Sequence, residues 1–297
     1  MNLRRLLVPW LWLAALVASP AGSAVEREPL RMGFYMPAIR DANLADLKVS
    51  LGLWTEEIGR PYGIRIFTST YDDMTALRRA LDQRELNFIS APGMELAEVF
   101  KPGEIKQGYA RRQEGVDEGI ALIVSKASGI RQFADLRGKR VLRLNRDRLA
   151  EYFLETQCLK TAGQACKDYL NLVEERRDIQ SVYAVFFGKA DAALVSLATL
   201  RTAVELNPQI RQRLTPILEW KAPALMFGLM TWHTDDSYRN LIVNSIKDAM
   251  KTLRGRQILE LFKTDYLEPV DADALKPYWA LLKEYQELRK GNRGGRK

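Results

Sequence analysis

Residues 119 to 144, GIALIVSKASGIRQFADLRGKRVLRL, decide the fold that this sequence encodes. They hold two apolar runs, 120–124 and 141–144, on either side of a polar segment. Apolar runs this short, bounded by glycine and charged residues, are typical of buried strands in a parallel sheet. Between the runs, apolar residues recur at every third position and predict one short helical turn that ends at Gly138.

Strands and helices alternate along the rest of the chain, on both sides of this stretch. The predicted strands are 30–35, 63–69, 87–91, 105–112, 119–124, 141–144, 169–173, 192–195, 214–218 and 225–232. The predicted helices are one that starts after Asp73, together with 42–58, 94–100, 149–159, 179–187, 197–206, 236–253, 256–262 and 272–288. Such alternation favours α/β sheets with helices on both faces, in which the loops after the strands gather at one edge.

Three short segments resemble one known family. S-G-I at 128–130, D-L-R-G-K-R-V at 135–141 and G-K-A-D-A at 188–192 are similar to segments of periplasmic solute-binding proteins of the phosphonate, phosphite and phosphate type. The resemblance implies the two-lobed type II periplasmic binding fold, an α/β fold with mixed sheets and two crossover hinge strands. It also implies a ligand in the cleft between the lobes, delivered to an ABC importer.

The resemblance and the alternation together predict the domain organisation. Lobe 1 comprises 25–117 and 219–288, and lobe 2 comprises 118–218. Residues 1–24 place two arginines before an apolar run that ends in small residues, which predicts a secretory signal peptide and a periplasmic protein. The alternative is an uncleaved N-terminal anchor.

The net charge of +8 lies mainly outside the predicted lobes. Two arginines of the signal peptide and five basic residues at 289–297 carry +7 of it, which leaves +1 for the lobes. A nearly neutral body lacks the basic footprint of a nucleic-acid-binding protein. The glycine-rich basic tail is typical of a disordered end, and contact with anionic lipid or a partner is the alternative.

Cys158 and Cys166 are the only cysteines. An even number of cysteines in a chain destined for an oxidising compartment favours a disulfide. We expect this disulfide to join the end of one helix to the start of the next strand. The alternative, a metal or redox site, lacks a nearby histidine or further cysteine. We therefore expect no metal and no cofactor.

The anion site of the family is altered in this chain. As the resemblance implies, relatives hold an anionic head group at a helix start in lobe 2 within a Thr-Ser-Gly-Tyr-like run, where free N–H groups and the helix dipole favour anions. This chain has NRDRLAEY at 145–152, in which only the tyrosine is retained. A family histidine falls on Asp178 and a family tyrosine falls on or near Glu118. Carboxylates at these positions repel a phosphonate.

Two interpretations of the substituted helix start are open. Arg146 and Arg148 grip a carboxylate or other oxyanion as a fork. Alternatively, Asp147 caps the helix and both arginines point to water. Topology adds residues at the ends of other strands, each of which is otherwise an ordinary turn residue. The predicted ligand-binding residues are Tyr35, Thr70, Tyr71, Ser90, Asn145, Arg146, Arg148, Asp178 and Ser196.

Catalytic signatures are few in this sequence. His233 is the only histidine, and no Ser-His-Asp or Cys-His set, metal-ligand spacing or phosphate-binding loop is present in the sequence. We therefore expect a binding protein and not an enzyme. The favoured function is an exported, monomeric solute-binding protein that takes a small polar or anionic ligand and presents it to an ABC permease. The alternative is a periplasmic accessory or sensory module that engages a membrane sensor or a redox complex.

Overall fold

The computed structural model describes residues 28–38, 44–115, 117–261 and 264–294, so the predicted signal peptide lies outside the described part. The strands are β1 (Leu30–Tyr35), β2 (Ile66–Tyr71), β3 (Phe88–Pro92), β4 (Ile105–Arg112), β5 (Gly119–Ser125), β6 (Arg140–Leu144), β7 (Asn171–Glu175), β8 (Ala192–Ser196), β9 (Leu214–Lys221), β10 (Met226–Thr231) and β11 (Tyr266–Val270). The helices are α1 (Leu44–Gly59), α2 (Met74–Asp82), α3 (Gly93–Val99), α4 (Arg148–Ala162), α5 (Cys166–Tyr169), α6 (Asp178–Phe186), α7 (Leu197–Leu206), α8 (Gln209–Arg213), α9 (Asp236–Ala249), α10 (Leu253–Leu261) and α11 (Lys276–Gly294). None of the helices in these described ranges is long and apolar enough to span a bilayer.

The strands form two mixed sheets that share one order. The first sheet runs β2-β1-β3-β10-β4-β11, and the second runs β7-β6-β8-β5-β9. We call the first sheet with its helices lobe 1 and the second with its helices lobe 2. In each sheet the early strands are parallel, whereas the strand that has just crossed from the other lobe, β5 or β10, is antiparallel to both neighbours. The prediction that 120–124 lies in a parallel arrangement was therefore wrong. Residues 141–144 do lie between parallel neighbours, as predicted.

Strand β5 shows how the sequence builds the core. Ile120, Leu122 and Val124 point to one face of the second sheet, where α4 packs, and Ala121 and Ile123 point to the other, where α6 and α7 pack. All five side chains are buried, because both faces of the strand are covered by helices. This explains why the sequence shows a continuous apolar run and not an alternating one.

One apolar cluster continues from lobe 1 into lobe 2. It contains side chains of α2 and α3 from lobe 1, of α4 and α5 from lobe 2, and Tyr278 and Leu281 of α11. Helix α11 contacts both lobes: the Trp279 indole N–H donates to the carbonyl of Phe100 (2.9 Å), and Glu284 pairs with Lys160 (2.8 Å). The C-terminal helix therefore braces the two lobes on one side.

The two crossing segments lie against each other. The N–H of Ala222 donates to the carbonyl of Glu118 (2.9 Å), and Lys221 pairs with Asp117 (2.7 Å). Gly119 has a φ of +145°, and a Cβ at this position would lie 2.2 Å from the carbonyl oxygen of Trp220. Only glycine fits this close approach of the two backbones.

Three local features differ from the sequence-based expectations. Strand β11 was missed because it is a five-residue edge strand that contains Pro269, a residue that sheets accept only at such positions. Cys166 begins the one-turn helix α5 and not a strand, and it is disulfide-bonded to Cys158 as predicted. Helix α11 continues to Gly294, into the basic segment that composition favours as disordered.

Replacing Gly119 with alanine should strongly destabilise the protein. Backbone strain at positive φ costs roughly 1 to 3 kcal/mol, and the overlap with Trp220 adds roughly 1 to 3 kcal/mol. Gly129→Ala is the matched control, because Gly129 also has positive φ (+78°) but has open space around its Cβ position. Chemical denaturation of both variants measures the difference, and equal losses of stability would contradict a close approach at the crossing.

Reduction of the disulfide should lower the free energy of unfolding by about 2 to 3 kcal/mol, since the bridge closes a short loop. The bridge links positions eight residues apart. The double variant Cys158→Ala/Cys166→Ala should show this loss and should not respond further to reductant. Urea unfolding with and without reductant checks both statements, and a wild-type protein that ignores reductant would contradict them.

Candidate ligand-binding cleft

A carboxylate of lobe 1 occupies the arginine fork of lobe 2. Arg148, the first residue of α4, donates through Nε to Glu98 Oε2 (2.9 Å) and through Nη2 to Glu98 Oε1. Glu98 belongs to α3 in lobe 1. The Tyr152 hydroxyl, one turn along α4, donates to Glu98 Oε1 (2.5 Å). We call these three residues the clasp, because they join the two lobes.

The guanidinium of Arg148 is held from several directions. It also donates to Glu151 Oε2 (2.8 Å) and to the Tyr152 oxygen (3.0 Å), and it lies 4.9 Å from the centroid of the Tyr152 ring. The hydrogen bonds to Glu98 raise the pKa of Arg148, and burial, reinforced by Glu98, raises the pKa of Tyr152. Arg148 is therefore charged and Tyr152 is a neutral donor at any physiological pH.

Carboxylates also occupy the helix starts of lobe 2. Asp147 caps α4 by accepting from the N–H of Ala150 (3.0 Å), and Asp178 accepts from the N–H of Ser196 (2.8 Å), which is the cap residue of α7. The Ser196 hydroxyl in turn accepts from the N–H of Thr199 (3.1 Å). Burial raises the pKa of Asp178, and the neighbouring Asp147 carboxylate raises it further. Groups that could bind a small anion are thus held by side chains of the protein itself.

A buried carboxyl group lies beside the clasp. Glu95, in the first turn of α3, is only 7% exposed. Burial, reinforced by the carboxylates of Asp147 and Glu98, raises its pKa to about 8. At neutral pH this side chain is therefore largely protonated and can donate a hydrogen bond.

Two tyrosines at paired positions of neighbouring strands have different surroundings. Tyr35 ends β1 and pairs in register with Tyr71, which ends β2. Burial raises the pKa of Tyr35, and its charged neighbours are Glu95, Arg148 and Glu98. Burial also raises the pKa of Tyr71, but its charged neighbour is Glu85. Tyr35 therefore lies near the clasp, whereas Tyr71 belongs to the outer edge of lobe 1.

The other predicted site residues are dispersed. Arg146 is exposed and has a φ of +55°. Thr70 is exposed on β2, Ser90 lies in the middle of β3, and the N–H of Asn145 donates to the carbonyl of Glu175 (2.9 Å). Asp147 is the cap, as the second interpretation expects, and Arg148 contacts a carboxylate of the protein itself. The binding of a ligand oxyanion by either arginine stays a prediction.

Glu95 and Glu98 were absent from the predicted site. The available signal was a pair of acidic residues three positions apart, directly after the Pro92-Gly93 break that starts α3. Arg148, the partner of Glu98, lies 50 residues further along the chain, in the other lobe. Such a pairing depends on how the lobes meet and has no local sequence pattern.

A groove of about 590 Å³ lies elsewhere, on the side of the second sheet that carries α7 and α8. Its lining includes Leu200, Val204 and Ile210, and none of its lining residues belongs to the clasp. Two of its cations are engaged nearby: Lys126 donates to the carbonyl of Arg211 (2.9 Å), and Arg201 pairs with Glu205 (2.8 Å). The ligand site between the lobes stays a prediction. In the described ranges, no group of three or more side chains could hold a metal ion.

Two lobes of matching strand order, two adjacent crossings and polar helix starts between them define a two-lobed periplasmic binding protein. A family model for the periplasmic phosphonate substrate-binding protein of ABC transporters matches residues 41–275. The chain belongs to this family, which confirms the resemblance noted in the sequence. No curated protein matches the chain in sequence.

Solved structures confirm the predicted fold. XAC2383 from Xanthomonas citri, solved with ATP, has a TM-score of 0.65 at 14% identity and covers 88% of this chain and 98% of its own. A binding protein component of an ABC phosphonate transporter from Pseudomonas aeruginosa has a TM-score of 0.58 at 14% identity, covering 90% and 89%. PhnD1 from Prochlorococcus marinus, in complex with methylphosphonate, has a TM-score of 0.57 at 14% identity, covering 88% and 98%. At this identity the similarity is one of fold.

The raised pKa of Glu95 should make the stability depend on pH. The folded state binds this proton more tightly than the unfolded chain, so the contribution of Glu95 is complete below about pH 4.5 and is lost as the pH rises to about 8. Glu95→Gln, which stays neutral, should gain stability relative to wild type by roughly 1.4 kcal/mol per pH unit in this window.

Urea unfolding of both proteins between pH 5 and pH 8 measures this difference directly. Glu151→Gln is the control, because Glu151 is a more exposed carboxylate next to the same arginine. A constant difference between wild type and Glu95→Gln across the window would contradict a buried, protonated Glu95.

Proposed function

We propose that this chain is an exported solute-binding protein that closes its lobes on a small polar or anionic molecule and presents it to an ABC permease. The observation that carries this proposal is the pair of like-ordered sheets joined by two adjacent crossings. Family membership supports the role in import. Secretion through residues 1–24 and action as a monomer complete the proposal.

The ligand chemistry is limited by the donors and acceptors at the cleft. Arg148, Tyr152 and Tyr35 offer donors, while Glu98, Asp147 and Asp178 offer acceptors beside them. A simple phosphonate faces repulsion from these carboxylates. We therefore favour a ligand with both an oxyanion and hydrogen-bond donors or a positive group, and the ligands of the structural relatives, methylphosphonate and ATP, are the first compounds to compare with it.

A second function is favoured by the clasp itself. The lobes are joined across the cleft by a residue of the protein in the place where a ligand would otherwise bind. A sensory or accessory module whose closed form is read by a membrane partner could use such a contact. Crosslinking in intact cells that export the protein to the periplasm distinguishes the two functions. Capture of an ABC permease supports import, and capture of a sensor kinase or redox subunit supports the second function.

A ligand should raise the melting temperature of the purified protein. A compound present at 100 times its Kd stabilises the folded state by about 2.7 kcal/mol, which corresponds to roughly 5 °C for a chain of this size. The screen comprises phosphonates, sulfonates, nucleotides, carboxylates and zwitterions. Absence of any shift across these classes would contradict solute binding.

The matched variants Tyr35→Phe and Tyr71→Phe locate the site of any compound that scores in this screen. Loss of one hydrogen bond of about 1 to 1.5 kcal/mol should weaken binding roughly five- to tenfold in Tyr35→Phe and leave Tyr71→Phe unchanged. The two residues are equivalent in strand position, so equal effects in calorimetry would place the ligand elsewhere.

A further inference from the structure

The clasp has the geometry of a bound ligand. Both oxygens of Glu98 face the guanidinium of Arg148, and the Tyr152 hydroxyl donates to one of them. Proteins commonly hold a free carboxylate or phosphonate in this way, with two hydrogen bonds from the fork of an arginine and one from a further donor. In this chain the carboxylate comes from the other lobe, so a side chain of the protein itself fills the fork.

The two carboxylates on Arg148 differ in origin. Glu151 lies three residues along the same helix, so its pairing survives any movement of the lobes. Glu98 lies on α3 of lobe 1, so its contact with Arg148 and Tyr152 exists only while the lobes are together. Of these two partners, Glu98 alone can be exchanged for a solute when the cleft opens.

We propose that Glu98 is a built-in competitor for an oxyanion site formed by Arg148 and Tyr152, and that its displacement sets which acidic solutes this protein accepts. The proposal rests on the proposed function only in assigning the ligand to the cleft. A solute with a single weak oxyanion must replace a carboxylate that is tethered at high effective concentration. Solutes that gain further contacts in the cleft can displace Glu98, whereas bare small oxyanions cannot.

Removal of the competitor should expose the site. Acetate and methylphosphonate should bind to Glu98→Ala at least tenfold more tightly than to wild type. Each supplies an oxyanion for the position that the Glu98 carboxylate no longer fills. Acetate should also recover part of the melting temperature lost in this variant, as an added carboxylate replaces the deleted one. Calorimetry and thermal unfolding at fixed ionic strength measure the two effects.

Three further variants serve as controls for Glu98→Ala. Glu151→Ala removes the other carboxylate from Arg148 but leaves Glu98 in the fork, so it should bind the two probes no better than wild type. Glu98→Ala/Arg148→Ala should lose the gained binding. Glu98→Gln keeps the size of the side chain and removes its charge, so it should show a smaller gain, and it replaces the alanine variant if that variant does not fold.

The outcomes separate this inference from the proposed function. Equal affinity of wild type and both Glu98 variants for acetate and methylphosphonate would overturn the inference, whatever other solute the protein binds. A tenfold gain in Glu98→Ala that persists without Arg148 would overturn it as well. The remaining outcome is that Glu98→Ala gains affinity through Arg148 while wild type responds to no compound of the solute screen. This outcome would support the inference and contradict the proposed function.

Discussion

The contact of Glu98 with Arg148 and Tyr152 joins the two halves of the binding cleft. It lies between α3 of lobe 1 and the first turn of α4 in lobe 2. Its two charged side chains are only partly exposed, at 36% for Arg148 and 22% for Glu98. A bidentate pair of this kind is stronger and more specific than an ordinary surface ion pair, because its geometry is fixed by two parallel hydrogen bonds.

The rest of the fold brings these residues together. The close approach at Gly119 sets how the crossings meet, and α11 packs on α3 and α4 through the apolar cluster that both lobes share. The carboxylates of Asp147 and Asp178 hold the helix starts next to the clasp, so the cleft is preorganised by side chains of the protein. Under the proposal that Glu98 competes with solutes, specificity depends on which solutes can replace this internal partner.

The sequence predicts the alternating strands and helices because apolar runs and glycine breaks are local signals, and it predicts the two lobes through the resemblance of short segments to the periplasmic solute-binding family. It also predicts Arg148 and Tyr35 as cleft residues, since both follow from the ends of strands and the start of a helix. It could not predict the clasp, because Glu98 and Arg148 are 50 residues apart and meet only when the lobes meet. Likewise, the antiparallel placement of β5 depends on the crossing between lobes and leaves no trace in an apolar run.

The most direct test of the internal clasp is the NMR signal of the Arg148 Nε–H group in solute-free protein, assigned by its loss in Arg148→Lys. Our account predicts a signal that exchanges slowly with water, because Nε donates to Glu98 Oε2 at 2.9 Å. That protection should disappear in Glu98→Ala and persist in Glu151→Ala. A signal that exchanges equally fast in wild type and Glu98→Ala would contradict the claim that Glu98 fills the arginine fork.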